Sequence, residues 1–491
     1  MINALILTTA LLPLPRTGDF VMDAVIKEAT TNSQATKMLQ FLSDKIGPRL
    51  TSSSNLEKGQ KWAMGQFKKF GCTNVHLEAW GAFPVGFDRG NKCFGRMNGA
   101  TPRTFEFTSP SWTEGTKGPL KGKAMKCPTT LQEVTARITD LKGAWVIMDR
   151  QPRRQRPGDT PTPEQLAQIE LDKAVDQAGI AGRVYGARGE LVLTSGNFRD
   201  KTYDNHPMDR SVTVRKSDMD EITKAMDGGK PVELEFNLDQ KFRKGGAVTQ
   251  YNVIADIVGT EKPDEMVIIS GHFDSWDGPG SRGTSDNGTG SCTTLETARL
   301  LLKAGAKPKR TIRFILWSGE EQGLFGSRGY VIRHQNEFDK ISAVFVDDGG
   351  SNYCGGYSVH PTMMPLMNEA FAPVQAAFPD MPIKMSERQT ASMGGGSDHA
   401  SFNAVGVPGF FDSESGTEKY GTQDYNFIHH TQHDHMKYVI PMYLTQTSVA
   451  HASLAWTMAN ASTLLPRFPK PDYKLNPEGV PGLVDLLSTL K

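Results

Sequence analysis

The sequence predicts an α/β fold: a mostly parallel central sheet with helices on both faces, joined to a smaller inserted block. Three observations predict it. From Tyr251 onward, strand-like runs alternate with helical patterns, the order that builds parallel sheets. The runs are apolar along their length, as in Met266-Val267-Ile268-Ile269-Ser270, which suits buried strands. Several of them end in acidic or histidine residues and then glycine, which is how such a sheet presents polar groups beyond its carboxyl edge.

A chain of 491 residues is too long for one small domain, and two are expected. With 55 basic and 54 acidic residues the net charge is +1, which gives no reason to expect a nucleic-acid partner or an acidic membrane surface. The five cysteines, Cys72, Cys93, Cys127, Cys292 and Cys354, form no C-x-x-C pair. This argues against a thiolate zinc site and a disulfide scaffold, and leaves one bridge such as Cys93 to Cys127 open. Residues Met1 to Pro13 form an apolar run of signal-peptide length without a basic n-region or an A-x-A cleavage site. A secreted or periplasmic location is the expectation, with an ordered N-terminal segment as the alternative. No other stretch is apolar for long enough to span a bilayer.

In chain order, residues 1–20 are the signal-like segment and 21–110 the first part of the main domain. Helices are expected from about Thr31 to Ile46, broken by Gly47-Pro48, and from Ser54 to Phe70, followed by a strand at Val75 to Trp80. The Gly-, Pro- and Lys-rich stretch from Asn98 to Lys126 reads as a domain crossing. Residues 111–245 then read as a compact inserted domain. Its expected strands are Gly143–Asp149, Ile180–Gly186, Ser211–Val214 and Val232–Phe236, and its expected helices are Glu170–Gly179 and Asp218–Met226. Residues 246–465 carry strands at Asn252–Val258, Met266–Ser270, Thr311–Trp317 and Ile341–Val346, and a helix at Cys292–Leu302. The Pro-rich tail 466–491 is expected to wrap the surface.

Four segment ends in 246–465 bring acidic or histidine groups. These are His272 and Asp274, Glu320 and Glu321, Asp347 and Asp348, and His429 and His430. One acidic strand end is common, but four on one edge are unfavourable without a cation, and carboxylates with imidazole suit a divalent metal such as zinc. Asp286, in the glycine-rich loop after His272, joins His272 as a ligand candidate. In the Glu320-Glu321 pair, one carboxylate on a metal relieves the repulsion and leaves the other as general base. His429, His430, His433 and His435 crowd into seven residues, with Asp434 at hand to hold an imidazole. Gly394-Gly395-Gly396-Ser397-Asp398-His399 is a glycine turn or a source of substrate contacts. A G-x-S-x-G elbow on a suitable strand, an HExxH helix and a Walker P-loop are all absent.

Together these segments resemble the co-catalytic zinc exopeptidases of family M28, on the carboxypeptidase Q-like branch. The resemblance rests on Gly271-His272-Phe273-Asp274-Ser275-Trp276-Asp277, Ser285-Asp286-Asn287-Gly288, Trp317-Ser318-Gly319-Glu320-Glu321-Gln322-Gly323, Val346-Asp347-Asp348-Gly349-Gly350, Ser397-Asp398-His399 and His429-His430-Thr431-Gln432-His433-Asp434. Ile46-Gly47-Pro48-Arg49-Leu50-Thr51 resembles the family's opening, and the inserted block resembles a protease-associated domain.

The resemblance implies two zinc ions per chain. His272 and Asp348 would bind one, Glu321 and His430 the other, and Asp286 would bridge them. It chooses Asp348 over Asp347 because Gly350 follows two residues later, and His430 over His429 because Thr431 follows. Glu320 would be the general base, Asp274 would orient His272, and Asp434 would support His430. His399 is a substrate-contact candidate. The implied substrate is a short peptide with free termini, with a homodimer as one option. The loop from His272 to Asp286 is slightly longer than the resemblance leads one to expect, which would reshape the pocket. The alternatives are a glutaminyl-cyclase-like acyltransferase with one zinc, and a non-catalytic receptor-like binding module.

Overall fold

The computed structural model describes residues 17–489 except 100, 150–159, 200, 207–208, 230, 394–395 and 470. The signal-like run therefore lies outside the described residues.

The central sheet has six strands: β1 (Thr73–Phe83), β2 (Val248–Ile257), β3 (Lys262–His272), β4 (Arg310–Trp317), β5 (Ile341–Val346) and β6 (Gly409–Phe411). Their spatial order is β1-β2-β4-β3-β5-β6. The β4-β3-β5-β6 side is parallel, while β1 and β2 add two antiparallel pairings. Alternation along the strands explains the two covered faces. Val267, Ile269, Phe314, Leu316 and Phe345 share one core with the helices Ser54–Phe70, Gly288–Lys303 and Pro441–Asn460. Ile268, Ile315, Trp317, Val344 and Val346 point the other way, onto Tyr330, Val331 and Phe402. All the strand residues just named are fully buried, so the runs had to be apolar on both sides.

One close approach fixes the start of the helix Gly288–Lys303. Asn287 caps it by accepting from Gly290 N, and its side-chain amide donates to the Asp347 carbonyl at 2.7 Å. A Cβ on Gly290 would lie 2.1 Å from that carbonyl oxygen, so only glycine fits. This seats the helix start against the end of β5.

Among the described residues, a second sheet of eight strands lies between Phe94 and Asn237. Leu120–Lys126, Trp145–Ile147, Gly182–Gly186 and Ser211–Val214 run parallel at its centre, over a core that includes Trp145, Val184, Val212 and Phe236. The sheet starts earlier than residue 111. Phe94–Asn98 pairs with Glu233–Asn237, and the stretch read as a crossing supplies Arg103–Thr104, Phe107–Thr108 and Leu120–Lys126. These strands are short, with no long apolar run, and two of them contain glycine; Gly95 leaves room for the Phe236 ring.

The first helix begins at Phe20, capped by Asp19, and Ser33-Gln34 separates it from Ala35–Phe41. A π-turn, Leu42–Ile46, then ends at Gly47 with φ +84°. No two of the five cysteines are joined by a disulfide. The tail packs Val480 and Leu483 beside Trp80 and Phe83, and Ala82 N donates to the Pro481 carbonyl along the outer side of β1.

Candidate metal centre

His272 is the last residue of β3 and is 1 % exposed. Its Nδ1 sits 3.0 Å from the Asp274 carbonyl and 3.6 Å from Asp274 Oδ1, which turns Nε2 outward. Nε2 meets Asp348 Oδ1 at 2.9 Å and Asp286 Oδ1 at 3.2 Å. The other oxygen of Asp286, Oδ2, lies 3.1 Å from His430 Nε2, which lies 3.0 Å from Glu321 Oε2. The five residues that the resemblance implies as ligands thus come together, with one carboxylate facing two pairs. Glu320 stands beside them, its Oε2 4.0 Å from His272 Nε2.

The contacts behind this cluster are equally specific. Asp274 accepts from Thr51 Oγ1 at 2.9 Å and from the backbone N–H groups of Glu320 and Glu321 at 3.3 and 3.4 Å. One carboxylate therefore touches both the His272 ring and the glutamate turn. Trp276 N donates to Glu321 Oε1 at 3.2 Å.

Two sequence expectations need correction. Asp434 does not hold the His430 ring. It accepts from Thr284 N and Ser285 N at 3.0 and 2.6 Å, and so anchors the loop that carries Asp286. The turn after His430 reverses the chain and aims Asp434 at that loop. His399 is not in contact with the cluster. It is 3 % exposed, its ring lies 5.5 Å from that of Phe411, and burial followed by Arg388 holds it down at about 4. It starts the short helix His399–Asn403, whose backbone presses on Gly409 of β6.

Three residues to which the sequence reading gave no separate role also belong to the site. Asp398 is fully buried and pushed up to about 8, by burial first, with Asp348 and Asp274 adding repulsion. The Tyr425 hydroxyl is pushed up by burial and by the charges of Asp286, Asp348 and Glu321. His429, the competitor of His430, stacks between the His430 ring at 3.7 Å and the Tyr425 ring at 4.5 Å. Its Nε2 is 3.6 Å from Asp286 Oδ2. The motif around Ser397-Asp398-His399 was the only sequence signal for Asp398; which neighbour faces the cluster depends on the helix start.

The charges do not balance internally. Asp286, Glu320, Glu321, Asp348 and Asp398 crowd around His272 and His430. Burial pushes Glu320 well above the usual carboxylate range, with Asp348, Asp398 and Glu321 adding to it against the opposing effect of His272. Burial and then Asp286 push Glu321 up to about 7. Burial would also raise Asp286, but the His272 and His430 imidazoles beside it hold it well below its ordinary value. Burial would lower the two imidazoles, yet the carboxylates reverse this, leaving His272 well above its ordinary value and His430 at about 11. A buried surplus of carboxylates is what a bound cation relieves.

The donor set fits a metal. Among the described residues, the ligand atoms of His272, Asp286 and Asp348 lie within 4.8 Å of one another, as do those of Asp286, His429 and His430. Asp286 Oδ2 is buried and completes no hydrogen bond, although His430 is beside it. Oxygen and imidazole donors about 3 Å apart are compatible with an ion whose bonds are about 2.0–2.2 Å.

Fold and site are those of a metallopeptidase, and residues 252–455 match peptidase family M28. The chain is carboxypeptidase Q-like over most of its length. It is 25% identical to carboxypeptidase Q of Homo sapiens, over 92% of this chain and 91% of that one. Among solved structures, an M28 peptidase precursor from Shewanella amazonensis is 25% identical, with a TM-score of 0.64, covering 92% of this chain and 98% of that one. A zinc aminopeptidase from Bacillus subtilis shares the fold at 20% identity and a TM-score of 0.53, over 90% of this chain and 98% of that one.

Proposed function

We propose that this chain is a co-catalytic two-zinc exopeptidase that hydrolyses dipeptides and other short peptides with free termini. The observation that carries the reading is the split carboxylate of Asp286, with one oxygen toward His272 and Asp348 and the other toward His430 and Glu321. On this reading His272 and Asp348 would hold one ion and Glu321 and His430 the second, with Asp286 shared between the two pairs. When bound there, such ions would supply Lewis-acid polarisation of the scissile carbonyl and a more acidic attacking water.

The chain's own residues do the rest. Glu320 takes a proton as the water oxygen adds to the carbonyl carbon, then returns it to the nitrogen as the C–N bond breaks. Asp274 keeps His272 oriented and fixes the turn that presents Glu320. The block around the second sheet is read as a protease-associated-like insertion, and the protein as secreted or periplasmic.

The relatives are named for opposite peptide ends, so the test reads both. Free dipeptides, N-blocked dipeptides and C-terminal amides are offered to the enzyme with and without chelator, and bound zinc is counted. Cleavage of free dipeptides, lost with chelator and restored by zinc, is expected at about two ions per chain. Cleavage that survives complete metal removal sinks the reading. A count near one ion favours the acyltransferase alternative.

A further inference from the structure

The second sheet's block meets the metal centre through residues 190–194, with Glu106 beside them. Leu193 and Thr431 form an isolated antiparallel bridge. Thr194 donates twice to the His430 carbonyl, from N at 2.8 Å and from Oγ1 at 3.2 Å. The Gln432 side chain spends its amide on the same block. It accepts from Val192 N at 3.0 Å, and it donates to the Glu190 carbonyl at 2.9 Å and to Glu106 Oε2 at 3.2 Å. Thr194, Val192 and Gln432 are all buried.

The backbone that these bonds grip is unusual. His430 has φ +57°, a left-handed conformation that a side-chain-bearing residue keeps only when its surroundings hold it. Within its own segment, the bonds flanking His430 are those of Thr431 N and Oγ1 to Phe427 and Ile428 carbonyls, which do not touch the His430 peptide oxygen. That oxygen is held from the second sheet's side. The same segment also packs against the loop leading to Asp286: a Cβ on Gly278 would lie 2.6 Å from Thr194 Cγ2. Elsewhere in the block, Ser111 donates a short hydrogen bond to Asp277 of that loop.

We propose that Gln432 and Thr194 are positioning residues, a latch through which the second sheet's block holds His430 in place and so sets how tightly the Glu321–His430 half keeps its ion. The proposal rests on the two-metal reading. Groups that orient a metal ligand typically change affinity by about 10–100-fold. The latch acts on only one of the two ligand pairs, because neither His272 nor Asp348 receives a bond from that segment among the described residues.

The test competes zinc-loaded wild type, Gln432→Ala and Thr194→Ala against a graded chelator, with ions counted per chain and melting temperature recorded for the loaded proteins. Glu106→Ala, at an exposed position, removes one of the three Gln432 bonds without opening the core and covers the case in which Gln432→Ala fails to fold. The expected result is about 10–100-fold easier loss of one ion in Gln432→Ala and a smaller shift in the other two, with the second ion held as in wild type. Activity lost at limiting zinc should return at saturating zinc. Two ions released by the variants at wild-type chelator concentrations overturn the latch alone, and so does simultaneous loss of both ions with a collapse in melting temperature. Wild type that never takes up two ions overturns the two-metal reading and the latch with it.

Discussion

The two sheets are built from similar parts and end differently. Each has parallel strands at its centre and an aromatic or branched apolar core. In the central sheet the strands run out into His272, the Glu320-Glu321 turn and Asp347-Asp348, where buried carboxylates outnumber the imidazoles that face them. In the second sheet the corresponding charges are paired as they emerge. Arg215, next after Ser211–Val214, meets Asp218 and Glu106 at 3.1 Å, and Arg183 meets Asp176 at 2.7 Å. The same layer architecture therefore carries a charge surplus in one place and a charge balance in the other. The surplus, rather than the architecture, marks where chemistry happens.

That contrast can be broken by substitution. The largest effect is expected at Glu320. Glu320→Gln should lower kcat by about 10²–10⁴-fold with metal content unchanged, because it removes the proton acceptor and keeps the shape. A kcat within a few-fold of wild type would remove Glu320 from the mechanism. Asp274→Asn comes next. It weakens the hold on both His272 and the glutamate turn, and should cost about 10–100-fold in activity and metal retention; steady-state kinetics with metal analysis reads both.

The second sheet should respond the opposite way. Leu234→Ala, in its fully buried core, should cost about 2–5 kcal/mol in denaturant unfolding while kcat per folded molecule stays the same. A selective loss of kcat there would erase the distinction between the sheets.

The smallest expected effect is a pH dependence away from both edges. His334 bonds Glu78 at 2.9 Å and Glu337 at 3.1 Å. Burial alone would lower it, but the two carboxylates hold it at about 9. A raised folded-state value means the protonated form favours the fold. The contribution is thus complete below about 6.5 and fades as pH rises through about 9. His334→Gln should lower the melting temperature most at pH 6 and hardly at all by pH 10. A gap that widens with pH would contradict this.

Legibility in the sequence followed length and continuity. Ile341–Val346 is the strand the sequence predicts, because a fully buried strand must be apolar throughout. Phe94–Asn98 and Phe107–Thr108 are hidden, since runs of two to five residues carry too little pattern to read. At the site, residue types that suit a metal could be named from their chemistry. Direction could not. Asp434 turns to Thr284 and Ser285 rather than to its near neighbour His430, and His399 turns away where Asp398 does not. The bonds of Gln432 join residues 240 and 326 positions apart, a relation that no local pattern encodes.

The tail has a consequence beyond covering apolar surface. β1 is an outer strand, and its backbone would otherwise offer unpaired N–H and C=O groups to any extended chain nearby. By taking the Ala82 N–H and laying Val480 and Leu483 alongside, residues 480–483 cover the Ala82 end of that flank against an incoming strand from another molecule. Residues 480–483 thereby guard this stretch against edge-to-edge growth, and deleting them would leave it open to recruiting an extended chain.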